Sequence, residues 1–171
     1  PVEPTKGTDK FVGKGGRKAG LWHVLGDLAG AAVVLVAEGY ATAASLHMAT
    51  GWPVVVAFDA GNLMHVAKAL QAQSAGALVV VCGDDDTDTQ ARTGRNPGRE
   101  KAEVVARAVG GVAVFPVELP DGGKDFNDMH QACGLEAVQT CVQQAIDALH
   151  AKTGGDGAGA GQGGGTGLPS S

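Results

Sequence analysis

The chain has 171 residues, a length that suits one compact domain with loose ends. Hydrophobic residues make up 44% but aromatics only 4%, so the core must be built from Ala, Val and Leu, which suits close packing of helices on a sheet. A net charge of −5, taken alone, argues mildly against a nucleic-acid binder. The lack of an apolar run of roughly eighteen residues argues against a membrane-spanning helix. The cysteines Cys82, Cys133 and Cys141 form no CxxC pair, which argues against a disulfide framework or a zinc knuckle. The start, Pro1-Val2-Glu3-Pro4, has no signal-peptide character and lacks Met, as an excised fragment would. A reducing, cytoplasmic compartment is expected.

Residues 1–30 are basic and Gly-rich, with scattered apolar positions, and are expected to be the end of a segment that lies upstream. From residue 31 a regular rhythm begins. Val33–Val36 is a short β-branched run ending at Glu38-Gly39, and residues 41–50 follow as a helix stopped by Gly51. Pro53–Phe58 is a second run, after which Asn62 is placed to cap a helix over 63–73. Leu78–Cys82 is a third run, ending in Gly83 and an acidic loop. A helix over 99–109 ends at Gly110-Gly111, and Val112–Val117 is a fourth run. A last helix covers about 134–150, and the Gly-rich tail over 151–171 has nothing to bury and is expected to be disordered. Apolar runs alternating with helices predict an α/β domain over 31–150: a four-stranded parallel, Rossmann-like sheet flanked by helices, with right-handed crossovers.

In open parallel sheets ligands bind beyond the C-terminal strand ends. Glu38 follows the first strand and Asp84-Asp85-Asp86 the third. A carboxylate directly after a fully apolar strand is costly to bury unless it is paired or holds a metal. Two such edges side by side would focus negative charge in one crevice, which suits a hard divalent cation. Alternation points Asp84 and Asp86 the same way and Asp85 elsewhere. The competing structural reading of the triplet is an Asx turn. Gly39 allows a tight strand-to-helix turn. Asp125 and Asp128 follow the fourth strand as neighbours of the same crevice, and equally as an N-cap and first-turn residue of a helix. Basic residues cluster at Lys6, Lys10, Lys14, Arg17 and Lys18, and again at Arg92, Arg95, Arg99 and Lys101, apart from the acids, which fits a phosphate track beside a metal site; the competing reading, which charge alone favours, is ordinary solvated loops. His47 and His65 read as helix-surface residues and Cys82 as a packing residue.

Glu38-Gly39-Tyr40-Ala41-Thr42-Ala43 resembles the EGYATA motif of primases from conjugative plasmids and satellite phages. Asp84-x-Asp86 after an apolar strand resembles the DxD motif of the Toprim fold, shared by primases, topoisomerases and some nucleases. Lys124-Asp125-Phe126-Asn127-Asp128 resembles the downstream loop of bacterial-type primases, and Phe58–Leu63 also fits the plasmid-primase pattern. The similarity covers roughly residues 12 to 148. It implies a Toprim catalytic domain that takes part in metal-dependent primer synthesis on single-stranded DNA from nucleoside triphosphates, in plasmid or phage replication or conjugation. It further implies Mg²⁺ or Mn²⁺ held by Asp84 and Asp86, with Glu38 as a general acid/base or metal-organising carboxylate and Lys124 and Asp125 in support. Asp128 stands where some relatives carry Glu, and Asp85 where relatives often carry Asn. Lys14, Arg17 and Lys18 would be the last portion of the basic half that holds template and nucleotides. A replicative helicase is a further candidate partner, and no membrane is expected. With only that remnant present, the chain is expected to bind metal but to synthesise primers poorly alone. The alternatives are a Toprim-type nuclease, a non-catalytic nucleic-acid-binding fragment and, less favoured by the position of the acidic triplet, a response-regulator-like phosphoacceptor.

Overall fold

The computed structural model describes residues 21–120 and 122–155, the last two by backbone alone. Its elements, in chain order, are β1 (His23–Leu25), β2 (Val33–Ala37), α1 (Tyr40–Thr50), β3 (Val54–Val56), α2 (Leu63–Gln73), β4 (Leu78–Cys82), α3 (Thr87–Thr93), α4 (Pro97–Ala108), β5 (Val112–Val114), α5 (Phe126–Cys133) and α6 (Leu135–Gly155). The sheet has five strands in the order β1-β3-β2-β4-β5. The four expected strands run parallel, with Ala37 opposite both Val56 and Cys82, so the strands end level with one another. The fifth strand corrects the four-stranded expectation. Residues 23–25, assigned to an upstream remnant, pair antiparallel with β3 and close that edge. Three residues without alternation are too short a signal to be read as a strand.

Strand alternation divides the core into two layers. On one face Val34, Val36, Val55, Val79 and Val81 meet α2 and α4 through Leu63, Val66, Leu70, Ala102 and Val105. On the other, Leu35, Ala37, Val54, Val56, Val80 and Cys82 meet α1, α5 and α6 through Leu46, Phe126, Met129, Val138 and Val142. Each fully buried Val or Leu contributes about 1.5–3 kcal/mol relative to exposure. The paucity of aromatic bulk is made up by number and close approach. Gly83 shows how close: a Cβ there would lie 2.6 Å from Ala102 Cβ and 2.7 Å from Phe115 Cε1.

Helix boundaries follow the sequence signals closely, with three differences. The last helix runs to Gly155, beyond the expected end at 150 and five residues into the stretch read as tail. The rest of that tail, from 156, lies outside the described residues, as do Lys14, Arg17 and Lys18. The short helix α3 was not foreseen. Asn62 is not a side-chain N-cap: its backbone is already helical (φ −86°, ψ −15°), and its amide donates to Leu21 O (2.7 Å) and Ala57 O (3.0 Å) instead. It thereby fastens the chain entering β1 to the end of β3.

Candidate metal and nucleotide site

Level parallel strands deliver the post-strand residues to one edge. Glu38 leaves β2, and Gly83-Asp84-Asp85-Asp86 leave the adjacent β4. A crevice of about 100 Å³ opens there, lined by Glu38, Asp84, Asp86, Gly98 and Lys101 among others. The alternation expected for the triplet is present: Asp84 and Asp86 border this crevice and Asp85 turns away from it.

Asp85 is buried and fully engaged. Arg99 grips it with both a Nε bond (2.8 Å) and an Nη2 bond (2.7 Å), and Asn96 Nδ2 donates to it at 2.7 Å. The Arg99 bonds first, and Asn96 with them, hold its carboxyl below the usual carboxylate range. Arg99 also lies over the Phe115 ring, 4.4 Å from its centre. Asn96 closes the arrangement, since its Oδ1 accepts from the amides of Arg99 (3.2 Å, the N-cap of α4) and Asp86 (3.1 Å). Asn96-Pro97 is an N-cap followed by Pro in the first turn, a start signal not used in placing this helix at 99.

Asp86 receives the Gly98 amide at 3.0 Å, so one oxygen is oriented by the N-terminus of α4. Gly98 lets the backbones approach, for a Cβ there would fall 2.5 Å from Asp84 O. Asp84 has the opposite environment. Partial burial first, then the charges of Glu38, Asp125 and Asp86, push its carboxyl up to about 6, against a smaller downward pull from Lys124.

The loop after β5 completes the edge. Asp125 and Asp128 form a capping box on α5: Asp128 N donates to Asp125 Oδ1 (2.9 Å), and Asp128 Oδ2 accepts from the amides of Asp125 (3.2 Å) and Lys124 (2.8 Å). Asp125 Oδ2 accepts from Thr42 Oγ1 at 3.1 Å, tying α5 to the helix that follows Glu38. Behind it, buried Ser45 reaches Asn127 Oδ1 (3.3 Å) and His130 Nδ1 (3.0 Å). Asp85 N donates to Lys124 O at 2.7 Å, joining the two acidic loops. Asp125 therefore faces the Asp84 cluster while Asp128 holds the helix terminus. Gly39 has φ −101°, extended backbone open to any residue, and a Cβ there would meet only Thr42 Oγ1 at 3.8 Å, so the local turn does not require glycine. Sequence reasoning missed the bracing by Asn96 and Arg99, the Thr42 link and the position of Lys101. Only the first carried a local signal.

The Toprim domain family profile matches residues 33–136, more than half of the chain. The chain belongs to the Toprim family. Two curated relatives, both DNA primase TraC of Escherichia coli, are 49% and 48% identical over 117 residues. Those residues are 67% of this chain but only 11% and 8% of the relatives, so the chain covers about a tenth of either. No solved structure matches. Among the described residues no helix is long and apolar enough to cross a membrane.

A divalent cation is implied by this family, and the donor set fits one. All the candidate donors are carboxylate oxygens, and they crowd around Asp84, whose charge no ion pair among the described residues offsets. Among the described residues no three acidic, His or Cys side chains are grouped so that they could together hold a metal ion. One or two carboxylates suffice for a hard divalent cation that keeps part of its water shell.

Proposed function

We propose that this chain is the Toprim part of a plasmid-type DNA primase and that it takes part in metal-dependent nucleotidyl transfer in the synthesis of short primers on single-stranded DNA. The observation that carries this reading is the convergence of Glu38, Asp84 and Asp86 at one sheet edge of a Toprim chain whose relatives are primases. Asp84 and Asp86 would hold Mg²⁺ or Mn²⁺, with Glu38 organising the site or moving a proton. The bound cation would supply charge neutralisation for a nucleoside triphosphate.

The remaining roles belong to the protein. Gly98 N fixes one oxygen of Asp86, so the carboxylate needs little reordering to meet an ion. Arg99 neutralises Asp85, Asn96 holds it by a hydrogen bond, and together they keep its charge out of the crevice. Thr42 orients Asp125. Lys101, on the crevice wall, and Lys124, near Asp84, offer positive charge to phosphate oxygens. Template and primer would be held largely by parts of the protein outside the described residues, Lys14, Arg17 and Lys18 among them.

The test is a chimera in which residues 33–136 replace the matching stretch of an Escherichia coli relative. Primer synthesis by the wild-type chimera, lost in D84A/D86A, is expected. An inert wild-type chimera or an active double variant contradicts the assignment. Shortened strands in place of new oligonucleotides would make the domain a nuclease. The isolated chain is expected to make few or no primers.

A further inference from the structure

The chain is poor in aromatic residues, yet it does not bury them all. Among the described residues, Tyr40 and Phe58 are the two Phe, Tyr or Trp side chains left exposed, at 53% and 50%. They are not scattered. Tyr40 follows the end of β2 and Phe58 the end of β3, and these strands are direct neighbours, with Ala37 paired to Val56 and Ala57 N donating to Ala37 O at 2.9 Å. His23, placed beside Val56 by β1, has its ring centre 5.9 Å from that of Tyr40, tilted by 38°. Three rings therefore share the strand ends from which Glu38 emerges.

Phe58 adds an independent observation. Its φ is +60°, in the left-handed region that bulky L-residues avoid. A large apolar ring held in solvent on strained backbone is disfavoured twice, by hydration and by conformation. Such outliers cluster at ligand-binding sites, where the strained geometry serves the ligand.

We propose that Tyr40 and Phe58, with His23 behind Tyr40, form a stacking platform for unpaired nucleobases of a DNA strand whose phosphates reach the carboxylate crevice. This rests on the function proposed above. Rings stack on any base through its π-face, so a platform of this kind holds single strands without reading sequence. Continuity with the crevice points to nucleic acid as the occupant: a strand lying on the rings passes Glu38 and arrives beside Asp84 and Asp86, where bound cations would replace repulsion of phosphate by attraction. The competing occupant is a protein segment, since the chain enters β1 through exposed Leu21 at the same edge.

The experiment compares binding of the whole chain, in Mg²⁺, to a fluorescent oligo-dT and to an abasic strand of equal length. The wild type is expected to prefer oligo-dT by about tenfold or more, the scale of one stacked base. Y40A/F58A is expected to bind both strands alike, at the abasic level, and Y40F/F58W to keep the preference. Phe58→Gly guards against misfolding: glycine accepts φ +60°, so the melting temperature should not fall while the preference shrinks. A wild type that treats the two strands alike, including one that binds neither, overturns the platform and leaves the rings to a protein partner. A preference unchanged in Y40A/F58A overturns it as well. Calorimetric Mg²⁺ titration separates the readings. If Y40A/F58A binds the ion as the wild type does, loss or absence of base preference bears on the platform alone. A wild type without ion binding removes the functional reading beneath it.

Discussion

Asp84 and Asp85 adjoin in sequence and have opposite environments. Asp85, on the outer side of the loop, is buried with its charge matched by a two-pronged Arg99 and with a further hydrogen bond from Asn96. Asp84, on the inner side, faces Glu38, Asp86 and Asp125, with only Lys124 opposing them. The outer side behaves as structure, in which both Asp85 oxygens have partners and the geometry is over-determined. The inner side carries a cost that folding alone does not justify and that a ligand can remove. One loop thus holds a rigid brace and a strained crevice back to back, and the brace keeps the crevice in place.

The strongest way to break this contrast is to strip the brace. Arg99→Met leaves Asp85 buried without its partner and should cost about 2–3 kcal/mol in urea denaturation, less than a fully buried pair because Arg99 is 38% exposed. Adding Asp85→Asn should recover part of it. An unchanged midpoint for Arg99→Met would show that the pair does not brace the loop. Next in size is Gly98→Ala, whose methyl would press on Asp84 O and on Asp86 Oδ2, 3.0 Å away. A loss of about 1–3 kcal/mol is expected, with weakened ion binding.

Asp84→Asn sharpens the contrast in the other direction. Its folded carboxyl titrates near 6, above the ordinary value of 3.8, so the stability linked to it is present at low pH and is lost as pH rises through 6. Without divalent ions the variant should be more stable than wild type at pH 8, by about 1 kcal/mol once partial solvent screening is allowed for, and level with it near pH 4. Asp85 has the opposite sign. Its lowered carboxyl gives stability above the ordinary carboxylate range that is lost as pH falls through its folded value. Metal-free protein should therefore be most stable between the two ranges, and Mg²⁺ should extend that window upward. A Tm that rises steadily to pH 8 without metal would contradict the Asp84 environment. The smallest effect belongs to Thr42→Val, about 0.5–1.5 kcal/mol for one side-chain hydrogen bond, with a modest change in ion affinity through Asp125.

The acidic residues could be placed from sequence because strand ends in a parallel sheet are positions, and apolar runs mark them. Asp84 and Asp86 share a side for the same reason, since extended backbone alternates. Arg99 could not be assigned that way. It stood in sequence as one of several basic residues, and only the fold turns it back across 14 positions onto Asp85. Asn62 misled because an Asn before an apolar helix usually caps it. Here the need to join β1 to the end of β3 overrides the local preference. The rings of Tyr40 and Phe58 lay inside recognisable motifs, but their exposure depends on which strands are neighbours, and β1 left no sequence signal.

The central claim is that the inner carboxylates bind a divalent cation, and calorimetric titration of Mn²⁺ and Mg²⁺ into the wild type and D84A/D86A tests it most directly. The account predicts saturable binding by the wild type, strengthened by nucleoside triphosphate, and none by the double variant. Equal binding by both proteins, or no binding by the wild type even with nucleoside triphosphate present, would contradict it.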